Sequence, residues 1–351
     1  MIEFWDWVSM DETRKPQPAT RNRRCTRGYQ IRTFDMKTCS KLFLSLFYFC
    51  LFASFCHPAQ AGNHRSMADD KEMPNLVLGY DVRVLLDANM KDIKAVTELW
   101  MEQLAEKNGL AANVVIYSDF TAMLEDFKDG RVDLASTITL DYLRIAEDLE
   151  TELAYSSIYA SGKPTKKYLL IVRSDAGFLD VKDLAQKKLA VAKIDDAALL
   201  FLNTYLLRNK LPEAPGFFSF IVNKRKSSQA ILSVFFRQTD VCIATREAFD
   251  IMVALNPQVG RQLKVMASSP EMVCTVSFFR KDYSPKAKAV IRNGAVKLRD
   301  TAAGRQLLTL FKLTDIFLLK DSDLDSFRSL LNEYRQLKGD VQVHKHKRDN
   351  N

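Results

Sequence analysis

The chain has 351 residues, of which 47% are hydrophobic and 27% charged, with a formal net charge of +8. That composition excludes an intrinsically disordered chain and supplies enough apolar material for two lobes of ordinary size. No basic stripe with interleaved aromatics is present, so a nucleic-acid partner is not expected.

Residues 1–35 are basic, without repeat or apolar period, and precede a complete export signal. They read as a non-native or disordered extension, with a genuine long n-region as the other reading. Lys37 and Lys41, the apolar run from Leu42 to Phe55 and the small residues of Ala59-Gln60-Ala61 mark residues 36–61 as a signal peptide. Cleavage is expected after Ala61, giving a periplasmic protein. The 14-residue apolar run is short for a membrane span, which needs roughly 20 residues; an uncleaved signal anchor is the alternative. Without residues 1–61 the chain carries 42 basic and 38 acidic residues, a net charge of +4.

From Asn75 onward, strand and helix patterns alternate. "NLVLGYDV" reads as a strand, and "MKDIKAVTELWMEQLAEKNG" as a helix with apolar residues at helical spacing and a closing Gly. "ANVVIYS" is a strand and "DFTAMLEDFKDG" a helix capped by Asp119. "VDLAST" is a strand, "LDYLRIAEDL" a helix and "ELAYSSI" an extended segment. "SGKPTKKYLLIVRSDA" opens with Gly and Pro and continues as a long apolar strand, which suits a crossing between lobes.

A second series follows: "VKDLAQK" helix, "KLAVAK" strand, "AALLFLNTYLLRN" helix, "FFSFIVN" strand, "KSSQAILSVFF" helix, "DVCIAT" strand, "REAFDIMVAL" helix and "QLKVMAS" strand. "MVCTVSFFRKD" is a plausible return crossing, and the stretches 284–311 and 321–337 read as helical. The expected fold is α/β: a two-lobed clamp, each lobe a mainly parallel sheet flanked by helices, with two crossover strands at the hinge. Residues 75–168 and 274–338 are assigned to lobe 1, residues 169–273 to lobe 2, and residues 339–351 to a disordered basic tail.

Four of the six cysteines fall within residues 1–61, leaving Cys242 and Cys274. These two either pair in an oxidising compartment or remain buried free thiols. The four histidines are His57, His64, His344 and His346. None lies in the folded body, so neither a Ser-His-Asp apparatus nor a His-ligated metal site is expected there. Gly-rich phosphate loops are missing as well. The reading is a binding protein without a cofactor, not an enzyme.

Several stretches resemble the periplasmic substrate-binding proteins for phosphonate, phosphite and phosphate uptake by ABC transporters. They are "YSDFTAMLEDFKDGRVDLAS", "KKYLLIVRSDAGFLDVKDLAQKKLAVAK", "SSQAILSVFFRQTDVCIAT" and "LKVMASSPEMVCTVSFFRKD". The resemblance spans Asn75 to Leu337 and implies a type II periplasmic binding protein fold. Its implied function is capture of a small oxyanion or phosphonate, or a related solute of altered specificity, for an ABC permease. A sensory protein reporting a ligand to a membrane receptor is the alternative, and a monomer is expected.

Two departures bear on the ligand. The resemblance places a hydroxyl-rich, anion-cradling turn at the segment from Lys193 to Ala198, where this chain has Asp195 and Asp196 instead. It also places a tyrosine where Phe120 stands. Asp195 therefore either caps its own helix or grips an amine or hydroxyl, while Lys193 with backbone N–H groups would retain an anion site. Ser136 and Thr137 end a strand and face either the ligand or the next helix. Asp87, with Asn89, lines the cleft or starts a helix. Tyr159, at the crossing, stacks on or hydrogen-bonds a ligand, or belongs to a hinge turn with Ser161 and Lys163. Thr245 and Arg246 follow a strand, and the Arg246 fork suits an anionic group. "NKRKSS" (223–228) reads as a solvated loop.

Overall fold

The structure, a computed structural model, describes residues 75–85, 90–108, 110–192 and 195–349. The extension, the signal peptide, Asp87 with Asn89, and Lys193 lie outside the described residues. In chain order the first lobe begins with β1 (Leu76–Asp81), α1 (Met90–Asn108), β2 (Ala112–Tyr117), α2 (Phe120–Lys128), β3 (Leu134–Ile138), α3 (Thr139–Ile145) and β4 (Thr151–Tyr159). The second sheet and its helices follow as β5 (Tyr168–Arg173), β6 (Lys188–Ala192), α4 (Asp196–Arg208), α5 (Ala214–Phe217), β7 (Phe220–Lys224), α6 (Ser227–Phe235), β8 (Val241–Thr245), α7 (Arg246–Leu255), α8 (Pro257–Gln262) and β9 (Leu263–Ser268). The chain then returns through β10 (Thr275–Arg280), α9 (Pro285–Ala295), α10 (Ala302–Leu310), β11 (Leu313–Leu318) and α11 (Asp325–Asp349).

The six-stranded sheet has the order β11-β4-β10-β3-β1-β2, and the five-stranded sheet β7-β6-β8-β5-β9. Both are mixed, where the sequence pattern suggested mainly parallel pairing. β1 runs parallel to β2 and β3, whereas β10 is antiparallel to β3 and β4, and β11 to β4. In the second sheet β6 is parallel to β7 and β8, while β5 is antiparallel to β8 and β9. The cause is connectivity. The strand that follows each crossing, β5 or β10, enters its sheet against the direction set by the βα units, whereas β4 and β9 before the crossings run with it.

Local chemistry explains the element boundaries. Asp119 caps α2 by accepting from the Thr121 N–H at 3.0 Å, and α2 then buries Met123 and Phe127. β1 is buried on both faces, as a central strand between helical layers must be. The two crossings lie side by side. Lys166 and Met272 exchange backbone hydrogen bonds of 2.8 and 2.9 Å, and Ser269 Oγ accepts from the Tyr168 N–H at 2.9 Å.

Two segments depart from the sequence reading. "LTDIFL" forms the edge strand β11 between segments read as helical. α11 runs on through Asp349, past the point where a disordered tail was expected; the stretch after Gly339 contains neither Gly nor Pro to stop it. α11 also ties the lobes together. Ser326 Oγ donates to the Glu271 carbonyl at 2.7 Å, and Arg208 of α4 meets Glu333 at 2.8 Å. Phe327, Leu330 and Leu331 share one hydrophobic cluster with Phe201 of α4 and Phe278 of β10.

Cys242 and Cys274 are free and buried. Along β8, Cys242 and Ala244 pack on one face of the sheet and Val241 and Ile243 on the other. Cys274 belongs to the cluster of Val241 and Ile243. The sheet separates the thiols, and the disulfide entertained from the sequence does not form.

Candidate functional site

The carboxyl ends of β1, β3, β6 and β8 converge where the two lobes meet, the usual place for a ligand in an α/β fold. The strand ends carry a charge network. Asp81 closes β1 with no exposure to solvent, and Thr137 at the end of β3 donates to its Oδ2 at 2.8 Å. Arg83, two residues on, donates through Nε to both Asp81 oxygens at 3.1 Å. Asp141 of α3 accepts from the same guanidinium and is itself bound by Arg144 at 3.0 Å. From the other lobe, Asp196 at the start of α4 accepts from Arg83 Nη1 at 3.3 Å. The Phe120 ring lies beside this guanidinium, its centroid 6.0 Å from the central carbon.

One guanidinium therefore holds three carboxylates drawn from both lobes. Burial disfavours the Arg83 charge, but Asp81 and Asp141 outweigh it and raise its pKa. Burial raises the Asp196 carboxyl, and Asp141 and Asp195 add to that against the pull of Arg83.

Asp195 faces the other way. It caps α4, accepting from the Ala198 N–H at 3.3 Å, so the self-capping alternative for this turn is met. Burial raises its carboxyl, opposed by Lys166 and by hydrogen bonds from Tyr168 and Ala198. Lys166 lies in the first crossing with Nζ 4.5 Å from the centroid of the Tyr159 ring, a cation–π contact. Burial opposes the lysine charge, but Tyr159, Cys274, Asp195 and Glu247 together raise its pKa.

These groups border a cavity of about 490 Å³. Of the residues singled out from sequence, Ser136, Tyr159, Asp195 and Thr245 line it. Ser136 shares a 2.7 Å hydrogen bond with Ser277, and Thr245 also caps α7 through the Ala248 N–H at 3.3 Å. Thr137 and Phe120 belong to the Arg83 network instead. Arg246 is half-exposed, 3.5 Å from Asp250, and does not border the cavity. Lys166, Arg83, Trp100 and Ser277 line it without having been singled out. Among the described residues no group of His, Cys, Asp and Glu is arranged to hold a metal ion.

Residues 82–324 match the family described as ABC transporter, phosphonate, periplasmic substrate-binding protein. The chain belongs to that family. This family is a class of transporter solute-binding proteins, not an enzyme class, and its members are exported to the periplasm. The fold agrees. XAC2383 from Xanthomonas citri, solved bound to ATP, superposes with a TM-score of 0.58 at 15% identity, covering 76% of this chain and 98% of its own. A binding-protein component of an ABC phosphonate transporter from Pseudomonas aeruginosa gives 0.54 at 18% identity, over 76% and 88%. PhnD1 from Prochlorococcus marinus, in complex with methylphosphonate, gives 0.54 at 12% identity, over 74% and 98%. The two-lobed type II periplasmic binding protein fold expected from the sequence is thus the fold of this binding protein.

Proposed function

We propose that this binding protein works as a monomer in the periplasm, freed of residues 1–61 by cleavage after Ala61, and acts by binding alone. Its lobes, residues 75–168 with 274–338 and residues 169–273, close on a small anionic solute and present it to an ABC permease. The observation that carries this reading is the cavity at the lobe junction with Lys166, Tyr159 and Asp195 on its wall. Closure is a hinge motion, and ligand contacts from both lobes bias it toward the closed state.

The charge distribution argues for altered specificity. Asp196 already occupies Arg83 across the lobes, and Asp195 occupies the first turn of α4. A solute anion therefore meets Lys166 and the basic segment at the start of α6, not the α4 N-terminus. Burial raises the Asp195 carboxyl, and Lys166 opposes that rise.

A thermal-shift panel tests this with phosphate, phosphite, methylphosphonate, aminoethylphosphonate, sulfate, amino acids and polyamines. A ligand at about 100 times its Kd stabilises the fold by about 2.7 kcal/mol, or about 5 °C. At least one anion is expected to give such a shift, and Lys166→Gln to reduce it. Stabilisation by polyamines alone, or no response to any solute, contradicts the reading.

A further inference from the structure

The Arg83 network carries more negative than positive charge, and the excess arrives from across the cleft. Within the first lobe the network is neutral by itself. Arg83 binds Asp81 and Asp141, and Arg144 binds Asp141 at 3.0 Å. Thr137 adds an uncharged donor to Asp81 at 2.8 Å. Two cations therefore meet two carboxylates before the second lobe takes part. Asp196, carried by α4 behind β6 of the five-stranded sheet, brings a third carboxylate to Arg83 Nη1 at 3.3 Å.

Little water screens that third charge. The side chains of Asp81, Asp141 and Arg83 are 0%, 5% and 12% exposed, and that of Asp196 is 16% exposed. Among the described residues, the charged groups bearing on Asp196 are Arg83 after β1, Asp141 and Arg144 of α3, and Asp195 on its own turn. Asp81 acts on it through the shared guanidinium. Asp195 is a further negative charge, and the cation that faces it is Lys166 of the first crossing. The N-terminus of α4 favours a charged Asp196 whether the lobes are together or apart, so it does not decide between the two states. Opening returns Asp196 to water and leaves the first-lobe network neutral. Closing buries a carboxylate that has no cation of its own, and a proton relieves such a group. Burial accordingly raises the Asp196 carboxyl, and Asp141 and Asp195 add to that against Arg83 and Arg144.

Building on the hinge of the solute-receptor reading, we propose that lobe closure is coupled to the uptake of one proton by Asp196, so that the ligand-free clamp closes as pH falls and opens as it rises. Neutral Asp196 still accepts from Arg83 through its carbonyl oxygen, so the cross-lobe contact survives while the excess charge is gone. A group that holds its proton more tightly in the closed state takes one up on closure. The advantage of the closed state is fully present below the ordinary carboxyl value of 3.8 and is lost as pH rises through the closed-state pKa. Between the two values the closed-to-open ratio falls by up to about tenfold per pH unit, the limit for a single proton.

The test is small-angle X-ray scattering of the purified, ligand-free protein from about pH 5 to about pH 8, with Asp196→Asn and Asp196→Glu measured beside it. The radius of gyration of the unmodified protein should increase with pH, with a closed-to-open ratio that falls by up to about tenfold per unit. Asp196→Asn, whose side chain has no proton to gain, should give one radius across the range. Asp196→Glu, which keeps a carboxyl on α4, should restore the dependence. Circular dichroism over the same range should stay constant, because opening a hinge melts no helix. If the Asn variant does not fold, the sign in the unmodified protein decides by itself. A radius that is constant or falls as pH rises overturns the coupling. So does an Asn variant that keeps the full response, or an expansion that comes with loss of the dichroism signal. None of these outcomes touches the solute-receptor reading, which a flat thermal-shift panel overturns separately.

Discussion

Asp196 and Arg83 form an ion pair across the lobes, and removing the aspartate charge tests what that pair contributes. At 3.3 Å and an effective dielectric of about 20, the attraction is about 5 kcal/mol. Against it stand the desolvation of a carboxylate whose side chain is 16% exposed, several kcal/mol in a protein interior, and repulsion from Asp141 and Asp195. The raised Asp196 carboxyl says that the opposing side wins. Asp196→Asn is therefore expected to leave the protein as stable at pH 7 or up to about 1 kcal/mol more stable, a rise in Tm of about 2 °C. Arg83→Met should do the reverse. It strands Asp81 and Asp141, which are 0% and 3% exposed, and should cost about 3–5 kcal/mol, or about 10 °C in Tm. Circular dichroism melts of the two variants beside the unmodified protein are the assay.

The pH dependence adds a sign. A carboxyl raised in the folded state binds its proton there while the unfolded state has released it. The stability this lends is fully present below pH 3.8, the ordinary value, and is lost as pH rises through the folded pKa. The Asn variant has no such loss, so its advantage should be nil near pH 4 and grow toward pH 7. A loss of 3 kcal/mol or more for Asp196→Asn at pH 7 would refute this reasoning and make the pair a net stabilising clamp.

Asp175 should show the opposite sign, because Arg173 and then Arg237 hold its carboxyl down at about 2. Asp175→Asn should lower Tm slightly at pH 7, the difference shrinking as pH falls from about 4 toward 2; melts across that range check it. Burial pushes the Cys274 thiol up to about 11 and raises Cys242 as well. Ellman's reagent should therefore leave both unlabelled in the folded protein and label both in denaturant, and a disulfide-linked peptide joining them would contradict the structure.

The βα order was legible because each unit carries its own period and punctuation. The Gly and Pro of "SGKP" marked the crossing for the same reason. Ser136 and Thr245 were singled out at strand ends, Tyr159 at the crossing and Asp195 at a helix start, features that need only local sequence, and all four border the cavity. Lys166 was missed because a lysine in "KPTKK" reads as solvated until Met272 is paired beside it. The Arg83 network joins residues 113 positions apart, and no local pattern announces that. Trp100 has the spacing of a core residue, which is the same for a packed core and for a cavity wall. β11 is a short edge strand whose pairing with β4 depends on the return of the whole chain.

The central claim is that a small anionic solute sits between the lobes. A crystal structure of the protein grown with the solute that raises its Tm most tests this directly. The account predicts density in the cavity bounded by Tyr159, Lys166 and Asp195, with the anionic head within hydrogen-bond distance of Lys166 Nζ. A solute seated anywhere else on the molecule, with that cavity filled only by water, would contradict it.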